Sequence, residues 1–310
     1  MNVLVMMSTY NGEKYLEEQI NSILAQKGVF VYLLVRDDGS TDSTTNILKR
    51  YVSEYPNNIT VICGENIGFG ASFHNLTINA LKLKQTMQFQ YYAFSDQDDI
   101  WKNEKLIVAC NALNELNDET TPILYCSSRI LVNNELLNIG KTISPPEILQ
   151  QDVFWVNAAA GCTCVFNDNL LNEFSRTFDK SMVYHDYWLF IIAKYIGRVY
   201  YDENSYILYR QHGSNFTGNQ IQTLLDKFKK IHKSLYKSPL NVESTLAKKF
   251  IEFYASCVDD RTREIITTIA NYQISFYCKA KLLLDLSGCF KLNNLLDFLI
   301  LKLRIVFNRL

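Results

Sequence analysis

Three carboxylates within four positions, Asp96-Gln97-Asp98-Asp99, close an apolar stretch that begins Tyr91-Tyr92-Ala93-Phe94. Residues two apart in an extended chain point the same way, so Asp96 and Asp98 can aim at one point. Two carboxylates converging there repel each other unless a cation or a proton lies between them. Their oxygens suit a hard divalent ion, Mg2+ or Mn2+, of the kind that also holds substrate phosphates. The alternative is a solvated acidic turn in which Asp99 caps the next helix.

Two more stretches carry candidate chemistry. Tyr184-His185-Asp186-Tyr187-Trp188 opens an apolar helical run that stops at Gly197. In the first turn, Asp186 either complements the helix dipole or, beside aromatic rings, acts as a general base. Spacing leaves both readings standing, and His185 is its partner or a surface residue. Arg210-Gln211-His212 ends an apolar run. A histidine there is a hydrogen-bonded turn residue, or it offers an imidazole to a metal or a phosphate. No GxGxxG or GxxxxGK[ST] loop occurs, so a bound nucleotide must rely on a metal, side chains and scattered amides.

These residues need elements to position them. Val3–Met7, Phe30–Val35, Ile59–Cys63 and the Tyr91 run read as buried strands. Helical stretches at Glu13–Gln26, around Ile47–Tyr51 and at Ala71–Leu83 alternate with them. That alternation predicts βαβ units and a parallel sheet. The polar turns at Thr9-Tyr10, Asp37-Asp38, Asn66-Gly68 and Asp96-Asp98 then share the edge at the strands' carboxyl ends. Further on, Lys102–Leu116 reads as a helix and Pro122–Val132 as a strand. Gly140–Gln151, with Pro145-Pro146, reads as a long loop and candidate lid. Ala158-Ala159-Ala160-Gly161 leads into another strand, either close-packed or open to a bulky ligand. Tyr206–Tyr209 is a further strand.

From Gln220 onward the chain holds one proline and one glycine and reads as helical. We read Asp226–Lys237 as a helical cap with its lysines in water. For Leu292–Leu310, where Asp297, Lys302, Arg304 and Arg309 interrupt apolar residues, two readings stand: a cap, or an interfacial helix on anionic lipid. Charge interrupts that segment too often for it to span a bilayer.

At 310 residues the chain can hold one large domain and an appendage. A formal net charge of −1 supplies no basic field for nucleic acid. The eight cysteines include no CxxC pair, and Cys162 and Cys164 read as buried thiols. Asn2–Met7 already reads as a strand, so no export leader is read there and a cytoplasmic location is expected.

In order, Ser8-Thr9-Tyr10-Asn11-Gly12, Asp37-Asp38-Gly39-Ser40-Thr41-Asp42, Asn66-Ile67-Gly68, Asp96-Gln97-Asp98-Asp99, His185-Asp186 and Arg210-Gln211-His212 resemble glycosyltransferase family 2. The likeness is to its rhamnosyltransferase-like bacterial members that build surface polysaccharides, and it covers roughly Val3 to Gly218. It implies an α/β GT-A fold, Rossmann-like and mostly parallel, over residues 1–218, with a helical region at 219–310. It further implies that Thr9, Tyr10, Asp37 and Asp38 form the nucleotide pocket, joined by Asn66, Gly68 and Asp96. Asp96 and Asp98 then match the DxD motif that holds Mn2+ or Mg2+, with His212 beside them, and Asp186 matches the catalytic base. Asp99, Trp101, Gly161, His185, Trp188 and Arg210 are assigned to the acceptor side or to secondary roles. Many members carry an arginine shortly after the Asn-x-Gly motif, where this chain has Phe73-His74-Asn75.

The expectation is an inverting, metal-dependent glycosyltransferase. Its donor would be a nucleoside-diphosphate sugar, dTDP-L-rhamnose first and a UDP-sugar otherwise. Its acceptor would be a lipid-linked or growing cell-envelope glycan, with the enzyme cytoplasmic or peripheral on the inner membrane face. The rivals are a nucleotidyltransferase and a non-catalytic GT-A scaffold.

Overall fold

The computed structural model describes residues 1–116, 120–146, 153–212, 232, 241–284 and 295–310. The chain divides into two compact units: Met1–Glu147 with Asn157–Asn215, and Ile148–Val156 with Phe216–Leu310. The expected division at 218/219 lies outside the described residues.

The first unit opens with β1 Asn2–Thr9, α1 Leu16–Leu24, β2 Phe30–Asp37, α2 Thr44–Glu54, β3 Ile59–Cys63, α3 Phe69–Lys84 and β4 Tyr91–Ser95. Val3 to Met7 are all fully buried, as a strand covered on both faces requires. α1 buries Leu16, Ile20 and Ile23 along one stripe. It starts at Leu16 rather than Glu13, because the Gly12 carbonyl accepts from both the Tyr15 and Leu16 amides in a preceding turn.

β1 pairs in parallel with β2 and β4, and β2 with β3. The remaining strands are β5 Ile100–Trp101, β6 Ile123–Val132, β7 Asn138–Ile143, β8 Val165–Asn167 and β9 Arg198–Arg210. The sheet order is β3-β2-β1-β4-β8-β6-β9-β5, with β7 on β6. The short β8 runs antiparallel to both β4 and β6. Two reversals restore direction, so β6 and its parallel partner β9 run the same way as β1–β4. The carboxyl ends of β4 and β9 therefore fall on one edge, although the sheet is mixed rather than wholly parallel.

Of the stretch read as a loop, Gly140–Ile143 belongs to β7, which pairs antiparallel with β6. The turn before it is built by Asn133, whose Oδ1 accepts from the Glu135 and Leu137 amides at 3.1 and 2.9 Å. Leu136 there takes φ 61°. That turn chemistry is local to Asn133, while Gly140 and the two prolines look like breakers. Residues 147–151 of the candidate lid lie outside the described residues.

α3 packs against the loop that delivers Asp186. A Cβ on Gly70 would lie 2.0 Å from the Met182 carbonyl oxygen. Gly70→Ala should therefore lower the melting temperature, by roughly 1–3 kcal/mol of stability as for other overpacked sites. An unchanged melting point would mean that this contact is not close.

In the second unit, helices span Val242–Tyr254, Asp260–Asn271, Phe276–Leu283 and Leu295–Val306. Asp259 and Ser275 cap the second and third by accepting from Thr262 and Cys278 amides. Arg304 binds Glu243 through both of its terminal nitrogens, and Lys302 donates to the carbonyls of Leu282 and Leu283 at 2.6 and 2.9 Å. Two cations of the last segment are thus engaged within their own unit, while Ile274 and Phe276 stand 81% and 88% exposed. No helix among the described residues is long and apolar enough to cross a membrane. The stretch Asp226–Lys237, save His232, lies outside the described residues.

Candidate active site

The site is assembled where β1–β4 and β9 end. At the β1 end, Thr9 donates its hydroxyl to Gln97 Oε1 at 2.5 Å, and the Tyr10 amide donates to the same oxygen at 2.9 Å. Gln97 returns a bond to the Tyr10 carbonyl at 3.2 Å. A Cβ on Gly12 would lie 2.4 Å from that Gln97 oxygen, so the glycine makes room for this clasp. At the β2 end, Asp37 accepts from the Ser40 hydroxyl and amide. Asp38 is paired with Arg36 and accepts from the Ile67 and Gly68 amides at 2.9 and 3.0 Å. Asp38 thereby holds the Asn66–Gly68 loop against the Asp37 turn. The two loops touch at Gly39, φ 80°, where a Cβ would meet the Asn66 amide at 2.7 Å. Tyr10 is 46% exposed at the rim of this cluster.

Beyond β4 the carboxylates crowd together. Burial, then the charges of Asp98 and Asp186, push the Asp96 carboxyl up to about 7. Burial and the charges of Asp98 and Asp96 drive Asp99 well above the usual carboxylate range. Asp98 Oδ2 lies 2.8 Å from His212 Nε2, and the His212 ring stacks on Tyr15 at 5.0 Å. Arg210 braces the floor. Its amide donates to Asp99 Oδ1 at 3.1 Å, its Nε to the Asp98 carbonyl at 2.9 Å, and its terminal nitrogens to the Asn134 carbonyl and Glu18.

Repelling carboxylates beside an imidazole form an oxygen and nitrogen donor set that a hard divalent cation would relieve, so Asp96, Asp98 and His212 fit such an ion. A second grouping brings ligand atoms of Asp96, Asp99 and Cys162 within 4.8 Å of one another. Burial drives the Cys162 thiol and the Asp99 carboxyl well up, which favours their protonated forms over binding a metal.

Asp186 lies in the first turn of the helix His185–Ile196. Its Oδ2 accepts from the Gly161 amide at 3.0 Å and its Oδ1 from the Tyr187 amide at 2.7 Å. Burial outweighs these bonds and lifts the carboxyl to about 6. His185 is buried rather than on the surface. Its ring stacks on Phe73 at 3.6 Å and meets Phe94 edge-on at 4.6 Å. Neither of its nitrogens has a hydrogen-bond partner among the described residues, and burial pushes its imidazole down to about 3, so it stays neutral. A Cβ on Gly161 would lie 2.9 Å from His185 Nε2. The missing side chain therefore lets one backbone amide reach Asp186 past the histidine.

The structure thus gathers Thr9, Tyr10, Asp37, Asp38, Asn66 and Gly68 into one cluster, and Asp96, Asp98, Asp99, Arg210 and His212 into a second. Gln97 joins the two. Asp186 and Gly161 lie beside the second, since the Asp186 charge raises Asp96. Trp101 and Trp188 stand apart, both wholly buried. Trp101 packs under Lys105, whose ammonium lies 3.5 Å from the ring centre, and Trp188 donates to Thr177 Oγ1 at 2.9 Å. Sequence reasoning passed over Gln97, Glu18 and Arg129. Strand alternation points Gln97 away from the two acids flanking it, which was a readable signal. Arg129 in an apolar strand run was another, and nothing marked Glu18.

The family model for glycosyl transferase family 2 matches residues 4–167. The dTDP-rhamnosyl transferase RfbG of Shigella flexneri is 32% identical over 228 residues, covering 69% of this chain and 74% of that protein. The UDP-Glc:alpha-D-GlcNAc-diphosphoundecaprenol beta-1,3-glucosyltransferase WfgD of Escherichia coli is 30% identical over 191 residues, covering 61% and 69%. Among solved structures, S. aureus TarS 1-349 in complex with UDP-GlcNAc aligns with a TM-score of 0.54 at 15% identity, over 100% of this chain and 93% of that one. Mannosyltransferase PcManGT from Pyrobaculum calidifontis in complex with GDP-Man and Mn2+ aligns with a TM-score of 0.50 at 15% identity, over 99% and 85%. At such identities the structural likeness speaks to the fold alone.

Proposed function

Because the chain belongs to glycosyl transferase family 2, we propose that it moves a sugar, with inversion, from a nucleoside-diphosphate donor to a hydroxyl of a bacterial cell-envelope glycan. dTDP-L-rhamnose is the first choice of donor, supported by the likeness to a dTDP-rhamnosyl transferase; UDP-sugars come next. The observation that carries the reading is the placement of Asp186, lifted to about 6, beside the Asp96–Asp98–His212 cluster.

Thr9, Tyr10, Asp37 and Asp38, with the Asn66–Gly68 loop, form the nucleotide side. Asp96, Asp98 and His212 would hold a divalent cation, Mn2+ or Mg2+, which when bound neutralises charge on a departing diphosphate. Asp186 takes the proton of the acceptor hydroxyl as that oxygen bonds to the anomeric carbon. The bond from that carbon to the diphosphate breaks with its electron pair going to the phosphate oxygen. A single base opposite the leaving group inverts the anomeric centre. We assign residues 1–218 to catalysis and 219–310 to a helical region. The acceptor is proposed to be lipid-linked, by likeness to an enzyme that acts on a diphosphoundecaprenol acceptor. That acceptor would place the enzyme at the inner membrane face.

A panel of dTDP- and UDP-sugars, screened in Mn2+ for thermal stabilisation and for slow donor hydrolysis, tests the reading. At least one donor should stabilise the protein and be cleaved to the nucleoside diphosphate. Release of sugar 1-phosphate, by cleavage between the two phosphates, would favour a nucleotidyltransferase, and no donor response at all would favour a scaffold.

A further inference from the structure

Arg129 is a cation in the middle of β6, whose neighbours from Ile123 to Ser128 are buried. Its guanidinium lies 5.3 Å from the centre of the Tyr209 ring. Its Nε is buried and has no hydrogen-bond partner among the described residues. The Arg129 charge acts on three groups, Asp96, Cys162 and Asp186. Its charge thus reaches both the metal-side carboxylate and the base, and among the described residues no hydrogen bond joins it to either. Two other cations of the site are committed: Arg36 to Asp38, and Arg210 to Glu18 and two carbonyls.

Burying a guanidinium nitrogen without a partner is unfavourable, so a partner is missing. The planar fork of arginine matches phosphate oxygens two at a time, and stacking on a ring fixes its plane in advance. Of the two carboxylates that its charge reaches, Asp186 is bound to two amides, and Asp96 belongs to the metal side on the reading above. What enters and leaves this place with fixed negative charge, on the reading of a nucleotide-sugar donor, is the donor's diphosphate.

We propose that Arg129 is a further substrate-binding residue, which grips the donor's diphosphate from the β6 side and holds it as it departs. This rests on the glycosyltransferase reading above. As the anomeric bond breaks, the electron pair stays on the diphosphate, and the guanidinium meets the charge that develops there.

The test compares nucleoside diphosphates with monophosphates on the full chain. Calorimetric titration in Mn2+ would use dTDP and dTMP, then UDP and UMP, on wild type, R129Q and R129K. R129Q should weaken diphosphate binding by roughly 10–100-fold, the range for losing charge-assisted hydrogen bonds. Monophosphate binding should change little, and R129K should fall between. A merely structural arginine would instead weaken both nucleotides together. Should R129Q not fold, R129M keeps the aliphatic stem against Tyr209 and serves the same comparison. Equal diphosphate affinity in wild type and variant overturns the assignment while leaving glycosyl transfer intact. If wild type binds none of the four nucleotides, the donor reading fails and the role of Arg129 with it.

Discussion

Asp186→Asn should lower sugar transfer by roughly 10²–10⁴-fold, the share of general base catalysis, while nucleotide affinity stays near that of wild type. The variant keeps shape and one accepting oxygen but cannot take up the acceptor's proton. It also removes one acceptor, because Asp186 uses both oxygens, for the Gly161 and Tyr187 amides. That loss is worth about 1–3 kcal/mol, and relief of a buried charge opposes it. The carboxyl pushed up to about 6 must be ionised to act. Wild-type transfer should therefore fall about tenfold per pH unit below 6, and the acid limb should vanish in the variant. Stability runs the other way. A folded-state value raised above 3.8 favours the fold at low pH, and that contribution is lost as pH rises through about 6. Near-normal transfer with a lowered melting point would make Asp186 a helix-start residue alone.

Asp98→Ala should abolish most metal-dependent turnover, roughly 10²–10³-fold, the size of losing one charge-stabilising group in a preorganised site. Asp98 is the carboxylate in direct contact with His212, at 2.8 Å. Removing it takes one ligand and loosens a second. The thermal stabilisation that Mn2+ gives together with dTDP should disappear in the variant, while its melting point without ligands stays close to wild type. Asp99→Asn is the contrasting control, because Asp99 is fully buried and accepts from the Arg210 amide. It should change stability more than metal response. If Asp98→Ala keeps near-normal turnover and a full Mn2+ shift, the metal lies elsewhere.

The polar turns at strand ends were readable because each is local. An apolar run that stops at Thr9, Asp37 or Ser95 announces both a buried strand and its carboxyl end. Their gathering on one edge followed from the alternation of strands with helices. The reversal at β8 was not readable, since a strand of only three residues, Val165–Asn167, has no periodicity of its own. The hairpin into β7 was hidden because its signal sits in the Asn133 side chain, whereas Gly140 and Pro145 advertise a break. Pairings such as Glu18 with Arg210 were invisible in principle, because no spacing rule connects a helix face to a strand so far along the chain.

The contact between Asp98 and His212 joins residues 114 apart, and that between Glu18 and Arg210 joins residues 192 apart. Arg210 is the last residue of β9, the last strand of the sheet. During synthesis the nucleotide-side cluster can form early, but the carboxylate cluster has no floor until β9 has emerged and docked. Long-range closures of this kind are slow, because chain entropy is lost before the contacts form. Catalytic competence is therefore delayed until the sheet is complete, and a nascent chain from which β9 has not yet emerged cannot consume donor. The same wiring ties the first helix to the last strand, so a ligand that binds only the completed cluster adds its binding energy to the whole unit's resistance to unfolding.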